Sequence, residues 1–360
     1  MEAKILNGLH RPFHQPLWMV KWVCAFFIRR KMKKQGYFYC KEVTADFYFV
    51  MLEWLSETYP QYYNNGIPSM ESVVAVRNEF GQLPTEARYD YLKFVLQKQR
   101  VSKIEKQIYS TYKASGYYIN LAKEKLNLID VNDRVTFPNF PSRYWRSSNL
   151  FQAEKIVLLE QILKFDGVYF LTLCLMQKEA NKYGLPLPTL IYDFLKEFYS
   201  EARFDFVSRS HGNYYVVRKY WEEILGVLTK SKNLGSFAKK VIVKNGEIQK
   251  TYNDIVSHLN IYKQTLKRQQ SFNKLVVKFN QTYRLLTKRQ QKFNDYVNLY
   301  DICSAMGMGY SSFNSFLSEF YERYRTTKNI FFINIVTTID QRKRFYVRMK
   351  PVLSIKIMDL

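Results

Sequence analysis

Cysteine and histidine are scarce in this chain, and their scarcity removes two classes of chemistry. Cys24, Cys40, Cys174 and Cys303 stand far apart with no CxxC pair, so neither a disulfide framework nor a zinc site is expected, and no cofactor is implied. His10 and His14 have the i, i+4 spacing of a helical metal pair, but Pro12 and Pro16 break that helix. Long apolar runs are also missing. Leu17 to Ile28 is interrupted by Lys21 and falls short of the roughly 20 residues that span a bilayer. Its cations (Arg29, Arg30, Lys31, Lys33, Lys34) follow the apolar stretch, whereas a signal peptide carries them in front. The run reads as a buried helix with cations at the end that suits its dipole; a membrane-surface helix is the alternative. A cytoplasmic protein without a transmembrane segment is expected.

Glycine, at 13 of 360 residues, is too sparse for phosphate cradles, and no P-loop, Rossmann glycine pattern, GxSxG elbow or HExxH occurs. Ser210-His211 reads as part of a turn, because adjacent residues rarely reach triad geometry. Glu154, Asp166, Asp193, Asp205, Glu222 and Glu223 are the carboxylates from which a metal-dependent nuclease site would be built. No acidic pair among them has a catalytic Lys at convincing spacing, so a non-catalytic protein is expected.

The most telling absence is of acid. Between Asp254 and Asp295 no carboxylate occurs, while Lys263, Lys267, Arg268, Lys274, Lys278, Arg284, Lys288, Arg289 and Lys292 all do. A solvated helix face ordinarily alternates Glu with Lys and gains i, i+4 pairs; here like charges repel and something else must compensate. Phosphates do so, releasing counterions as they are neutralised. The whole chain is strongly basic, at +24, and the excess is uneven: +8 in residues 1–41, zero in 42–229, +12 in 230–295 and +4 in 296–360. Compositional drift would spread it evenly. A polyanionic partner for the two basic zones is implied.

Periodicity makes the chain mainly α and multi-domain. An N-terminal helical domain is expected over 1–133, with helices at Lys41–Tyr59, Thr85–Tyr112 and Tyr118–Leu128. Residues 134–149 then read as an inter-domain linker, in which Arg143, Trp145 and Arg146 mix cations with an aromatic ring and suit either domain packing or contact with bases. A middle helical domain follows over 150–230, its first two helices separated at Asp166-Gly167. Val241-Ile-Val243 before Asn245-Gly246 suggests a short hairpin within 231–252. From 253 to 300 there is neither Pro nor Gly, and apolar steps of three and four predict a long, heptad-like helix, or two packed helices. Within it KRQQxFN occurs twice, from Lys267 and from Lys288, offset by 21 residues, so equivalent groups return near the same face.

In residues 301–360, Leu299–Met306 reads as a short helix and Gly307-Met-Gly309 as a turn. Ser311-Ser312 is the expected N-cap of a helix bearing Phe313, Phe316, Leu317 and Phe320. Two β-rich runs, Ile330–Ile339 and Phe345–Met349, are joined by Asp340-Gln-Arg-Lys-Arg344. Helix, turn, helix and basic hairpin resembles a winged helix-turn-helix domain. The resemblance implies an α+β fold in which Tyr310, Ser311, Asn314, Ser315 and Ser318 face DNA and Arg342, Lys343 and Arg344 sit on the wing. Glu319 and Glu322 depart from a typical reader by putting acid on that face, and winged helices also bind proteins.

The sequence therefore implies a nucleic-acid-binding subunit, with DNA expected over RNA, in a larger prokaryotic or mobile-element complex that includes other protein subunits. An adaptor whose heptad-like helix binds proteins is the first alternative, and a metal-dependent nuclease the second.

Overall fold

The computed structural model describes residues 5–9, 13–32, 42–58, 69–99, 101–199, 211–289, 296–334 and 344–358. The chain clusters into two compact units, Met1–Leu259 and Asn260–Leu360. Helices dominate the described residues, and a small antiparallel sheet lies near the C-terminus, as the mainly α reading expects.

The first unit grows from the apolar run that is too short for a membrane. Helix α1 (Met19–Met32) is a core helix: residues 17 to 27 are all buried. The one charge within that buried run, Lys21, lies 3.3 Å from Glu154, and both side chains are 0% exposed. Burial pushes the Lys21 ammonium below the usual lysine range, and Glu154 opposes that shift. No helix among the described residues is long and apolar enough to cross a membrane.

Helix α2 (Val43–Thr58) packs on α5 (Lys103–Asn120), where the Tyr48 hydroxyl lies 3.1 Å from Thr111 Oγ1. Between them stand α3 (Met70–Gly81), which the periodicity did not reveal, and α4 (Thr85–Gln97). The tract expected to run unbroken from Thr85 to Tyr112 is therefore two helices. The break is chemical: Ser102 accepts from the Glu105 N–H while the Glu105 carboxylate accepts from the Ser102 N–H, a capping box that starts α5 afresh.

Helix α6 (Gln152–Tyr183) joins the two helices expected on either side of Asp166-Gly167 into one, kinked at Asp166 (φ −139°, ψ 18°). The buried Asp166 carboxylate takes two hydrogen bonds from Arg218 on α8 (His211–Leu225) and one from the Leu6 N–H at 2.8 Å. Arg218 in turn donates to the Leu6 carbonyl at 2.7 Å. Burial raises the Asp166 carboxyl above its ordinary range, and Arg218 opposes this most strongly. Helix α7 (Leu187–Phe198) lies between them in sequence.

The hairpin expected around Asn245-Gly246 is absent. Val241-Ile-Val243 lies in helix α9 (Ser236–Lys244), and α10 (Gly246–Arg289) begins at once. The Asn245 carboxamide oxygen accepts from the N–H groups of Glu247 and Ile248, at 3.1 and 3.2 Å, so the Asn-Gly pair serves as a helix start instead of a turn. Helix α10 contributes residues to Leu259 to the first unit and the rest to the second. It is described as far as Arg289, residues 290–295 lie outside the described residues, and Val297 and Tyr300, expected in the same helix, belong to later elements.

The second unit packs the end of α10 against α11 (Leu299–Ala305) and α12 (Tyr310–Tyr324). Phe279, fully buried, has its ring centroid 4.8 Å from Phe320 and 5.5 Å from Phe316; such burial contributes about 2 kcal/mol. Helix α12 starts two residues earlier than expected, with Gly309 as its N-cap. The sheet contains β1 (Val297–Asn298), β2 (Asn329–Asn334), β3 (Phe345–Val347) and β4 (Lys350–Met358). Strand β4 is central: β2 lies on one side, and β1 and β3 lie on the other. Among the described residues of the two β-rich runs foreseen in the sequence, β2 and β3 do not pair with each other. Both pair with β4, which the apparent end of the run at Met349 and the following Pro351 concealed.

The β3–β4 turn is made by Arg348 (φ 48°) and Met349 (φ 63°), both left-handed without being glycine. Met349 is 93% exposed and has little packing to lose. Met349→Gly should raise stability by about 1 kcal/mol in denaturant titration; an unchanged midpoint would count against strain there. Lys21→Met should lower the stability of the first unit by about 3 kcal/mol, measured the same way, because it leaves Glu154 buried and unmatched.

Candidate nucleic-acid interface

The basic helix presents its charge on one side. At about 100° per residue, Lys263, Lys267, Lys274, Lys278, Arg284, Lys288 and Arg289 fall within an arc of about 140°. Phe272, Val276, Phe279 and Tyr283, which enter the core of the second unit, lie opposite. Arg268 is exposed but falls outside the arc. From Lys263 to Arg289 the stripe runs roughly 39 Å. Lys267, Lys274, Arg284, Lys288 and Arg289 are exposed and Lys263 is half-buried. Lys278 reaches back to donate to the Met306 carbonyl at 2.6 Å, tying α10 to the end of α11. Among the described residues no carboxylate pairs with Lys267, Lys274, Lys288 or Arg289. Lys292 and the second Phe-Asn of the repeat lie outside the described residues.

The first repeat copy has a second task. Phe272 is buried under the Arg323 guanidinium, 4.3 Å from its ring centroid, and Arg323 also donates to Gln269. Gln269 donates to Asn273 at 3.0 Å. The polar residues of the repeat therefore help seat α12 on α10.

On α12 the residues assigned to DNA separate into two groups. Ser311 and Ser315 are exposed, with Ser315 Oγ donating to the Ser311 carbonyl at 3.1 Å. Asn314 is committed elsewhere: its Oδ1 accepts from the Tyr346 N–H at 2.6 Å, while Ser318 Oγ donates to the Tyr346 carbonyl at 3.0 Å. Together they fasten β3 to α12. Tyr310, 46% exposed, leans its ring on Tyr300 and Phe345. The acids on this helix are matched, Glu319 by Arg323 and Glu322 by Arg325 and Arg348. The hydrogen bond from Arg348 is the main reason Glu322 is held below the ordinary carboxylate range. Arg344, beside β3, is half-buried, and Arg342 and Lys343 lie outside the described residues.

The loop 134–149 lies within the first unit. Trp145 packs against Trp54, with ring centroids 4.2 Å apart, and edge-on to Trp22 at 6.3 Å. The Arg29 and Arg146 guanidinium groups stand over its ring at 4.8 and 5.1 Å. Arg146 also pairs with Glu57 at 2.9 Å, while Arg143 is exposed beside Tyr144. Trp145 is thus a packing residue, and the end of the N-terminal basic zone converges on it, which no sequence signal revealed.

The carboxylates considered for a nuclease are dispersed. Glu154 serves Lys21, Asp166 serves Arg218, and Glu222 accepts from Lys219 and Gln177. Asp205 lies outside the described residues. Among the described residues no group of three or more His, Cys, Asp or Glu is placed to hold a metal ion. No family model, curated protein or solved structure matches the chain.

Asn314→Ala should lower the stability of the second unit by about 1–2 kcal/mol in denaturant titration and leave oligonucleotide affinity of the folded protein unchanged. Lost affinity at unchanged stability would return Asn314 to a base-reading role.

Proposed function

We propose that this chain is a non-catalytic nucleic-acid-binding protein, with DNA as its expected partner over RNA, acting as a subunit of a larger nucleic-acid-handling complex. One observation carries the reading: a cationic stripe on α10, opposite the core of its own unit, with Lys267, Lys274, Lys288 and Arg289 unmatched by described carboxylates. Unmatched like charges on one face are costly until a polyanion covers them. A stripe of roughly 39 Å is comparable to one turn of duplex, about 34 Å, which favours the sugar-phosphate backbone as the surface contacted.

The order helix, short strand, two helices and an antiparallel sheet supports the winged-helix resemblance, with α12 in the place of the second helix. The α12 face is a poor base reader, because Asn314 holds β3 and the acids already hold arginines. Backbone contact without strong sequence preference is the outcome these residues favour.

The adaptor reading draws on a separate feature. Strand β2 pairs only with β4 among the described residues, carries no charge, and exposes Phe331 and Ile333 at 46% and 41%. Such an edge suits strand addition by a protein partner.

Duplex affinity should fall steeply with salt. Changing Lys267, Lys274, Lys288 and Arg289 together to Ala should reduce the log–log slope by up to about four. A flat salt dependence, or no duplex binding at low salt, would sink the proposal, and a stable oligomer indifferent to nucleic acid would favour the adaptor.

A further inference from the structure

We infer that the first unit carries a second nucleic-acid site, a stacking platform for unpaired bases formed by Tyr144 and Phe151. The inference rests on the nucleic-acid reading for its class of partner but uses none of the residues of α10. Trp145, the ring that sequence would choose, is half-buried against Trp54 and Trp22. Its neighbours are not: Tyr144 is 51% exposed and Phe151 41%, and their ring centroids are 5.4 Å apart. Arg143 places its guanidinium 4.7 Å from the Tyr144 ring, with Arg29 and Arg146 around Trp145 next in the chain. Flat exposed rings amid cations are what single strands use, the rings stacking on bases and the cations meeting phosphates. Duplexes, with their bases already stacked, gain nothing from such rings.

The platform is built rather than incidental. The Glu154 carboxylate accepts from the Ser142 N–H at 3.1 Å and from the Phe151 N–H at 2.9 Å. Lys21, paired with the same carboxylate, donates to the Asn149 carbonyl at 2.8 Å. One buried ion pair thus closes the loop at its base and holds the two rings side by side before any ligand arrives, which lowers the ordering cost of binding. Glu57, bound to Arg146, competes with phosphate there.

The test is fluorescence anisotropy at low salt with labelled oligothymidine and oligouridine of about twelve nucleotides, and with a duplex of mixed sequence. Tyr144→Ala/Phe151→Ala should weaken single-strand binding by about ten-fold or more while duplex binding changes less than about two-fold. Tyr144→Leu/Phe151→Leu, which keeps apolar bulk without flat faces, should do the same and guards against a folding defect; Tyr144→Phe/Phe151→Tyr should bind like the parent. No single-strand binding by the parent, unchanged single-strand affinity in the Ala and Leu variants, or equal loss on duplex would overturn the inference. A parent that binds single strands but shows flat duplex salt dependence would sink the α10 reading and leave this one standing. Equal affinity for oligothymidine and oligouridine is the expected result, since stacking does not read the sugar; binding confined to one would overturn the stacking account.

Discussion

The Glu154 carboxylate organises the first unit. It sits at the start of α6 with no exposure to solvent, and its two oxygens satisfy Lys21 from the middle of α1 and two backbone N–H groups from the ends of one loop. Taking an ammonium and a carboxylate out of water is unfavourable, and the attraction between them offsets this only when the remaining hydrogen-bonding sites are also filled. Here they are, by the Asn149 carbonyl and the loop amides. That requirement couples a core helix, a helix start and a surface loop into one arrangement.

The same logic recurs at Asp166. A carboxylate and a guanidinium, both buried, read the N–H and the carbonyl of a single residue, Leu6, and Lys125 adds a bond to the next carbonyl, that of Asn7, at 2.6 Å. Buried acids of the neutral middle of the chain, Glu154, Asp166 and Glu222 among them, are therefore spent on internal matching. The contrast between the two regions is a division of labour in charge: matched pairs build the first unit, while on α10 Lys267, Lys274, Lys288 and Arg289 have no carboxylate partner among the described residues.

In the second unit the polar residues of α12 mostly secure the fold. Asn314 and Ser318 clamp the backbone of β3, and Glu322 with Arg348 ties the helix to the β3–β4 turn. A helix held this way is well fixed in position but has few side chains left for reading bases.

Much of this was legible in the sequence for simple reasons. Local rules act within a few residues, so apolar steps of three and four revealed α2, α10 and α12, and the absence of acid from 255 to 294 revealed the charged helix directly. Where local signals compete, they misled: Asn245-Gly246 can close a hairpin or cap a helix, and the long helix that follows decided for the cap. The mainly α class, the long basic helix and the small C-terminal sheet were thus set by composition and periodicity. The tertiary structure alone decided which polar groups are free. Burial and partners depend on residues far apart in the chain, so only the fold could set Trp145 against Trp54, leave Tyr144 and Phe151 exposed, commit Asn314 to β3, and bring Lys21 to Glu154 across 133 positions.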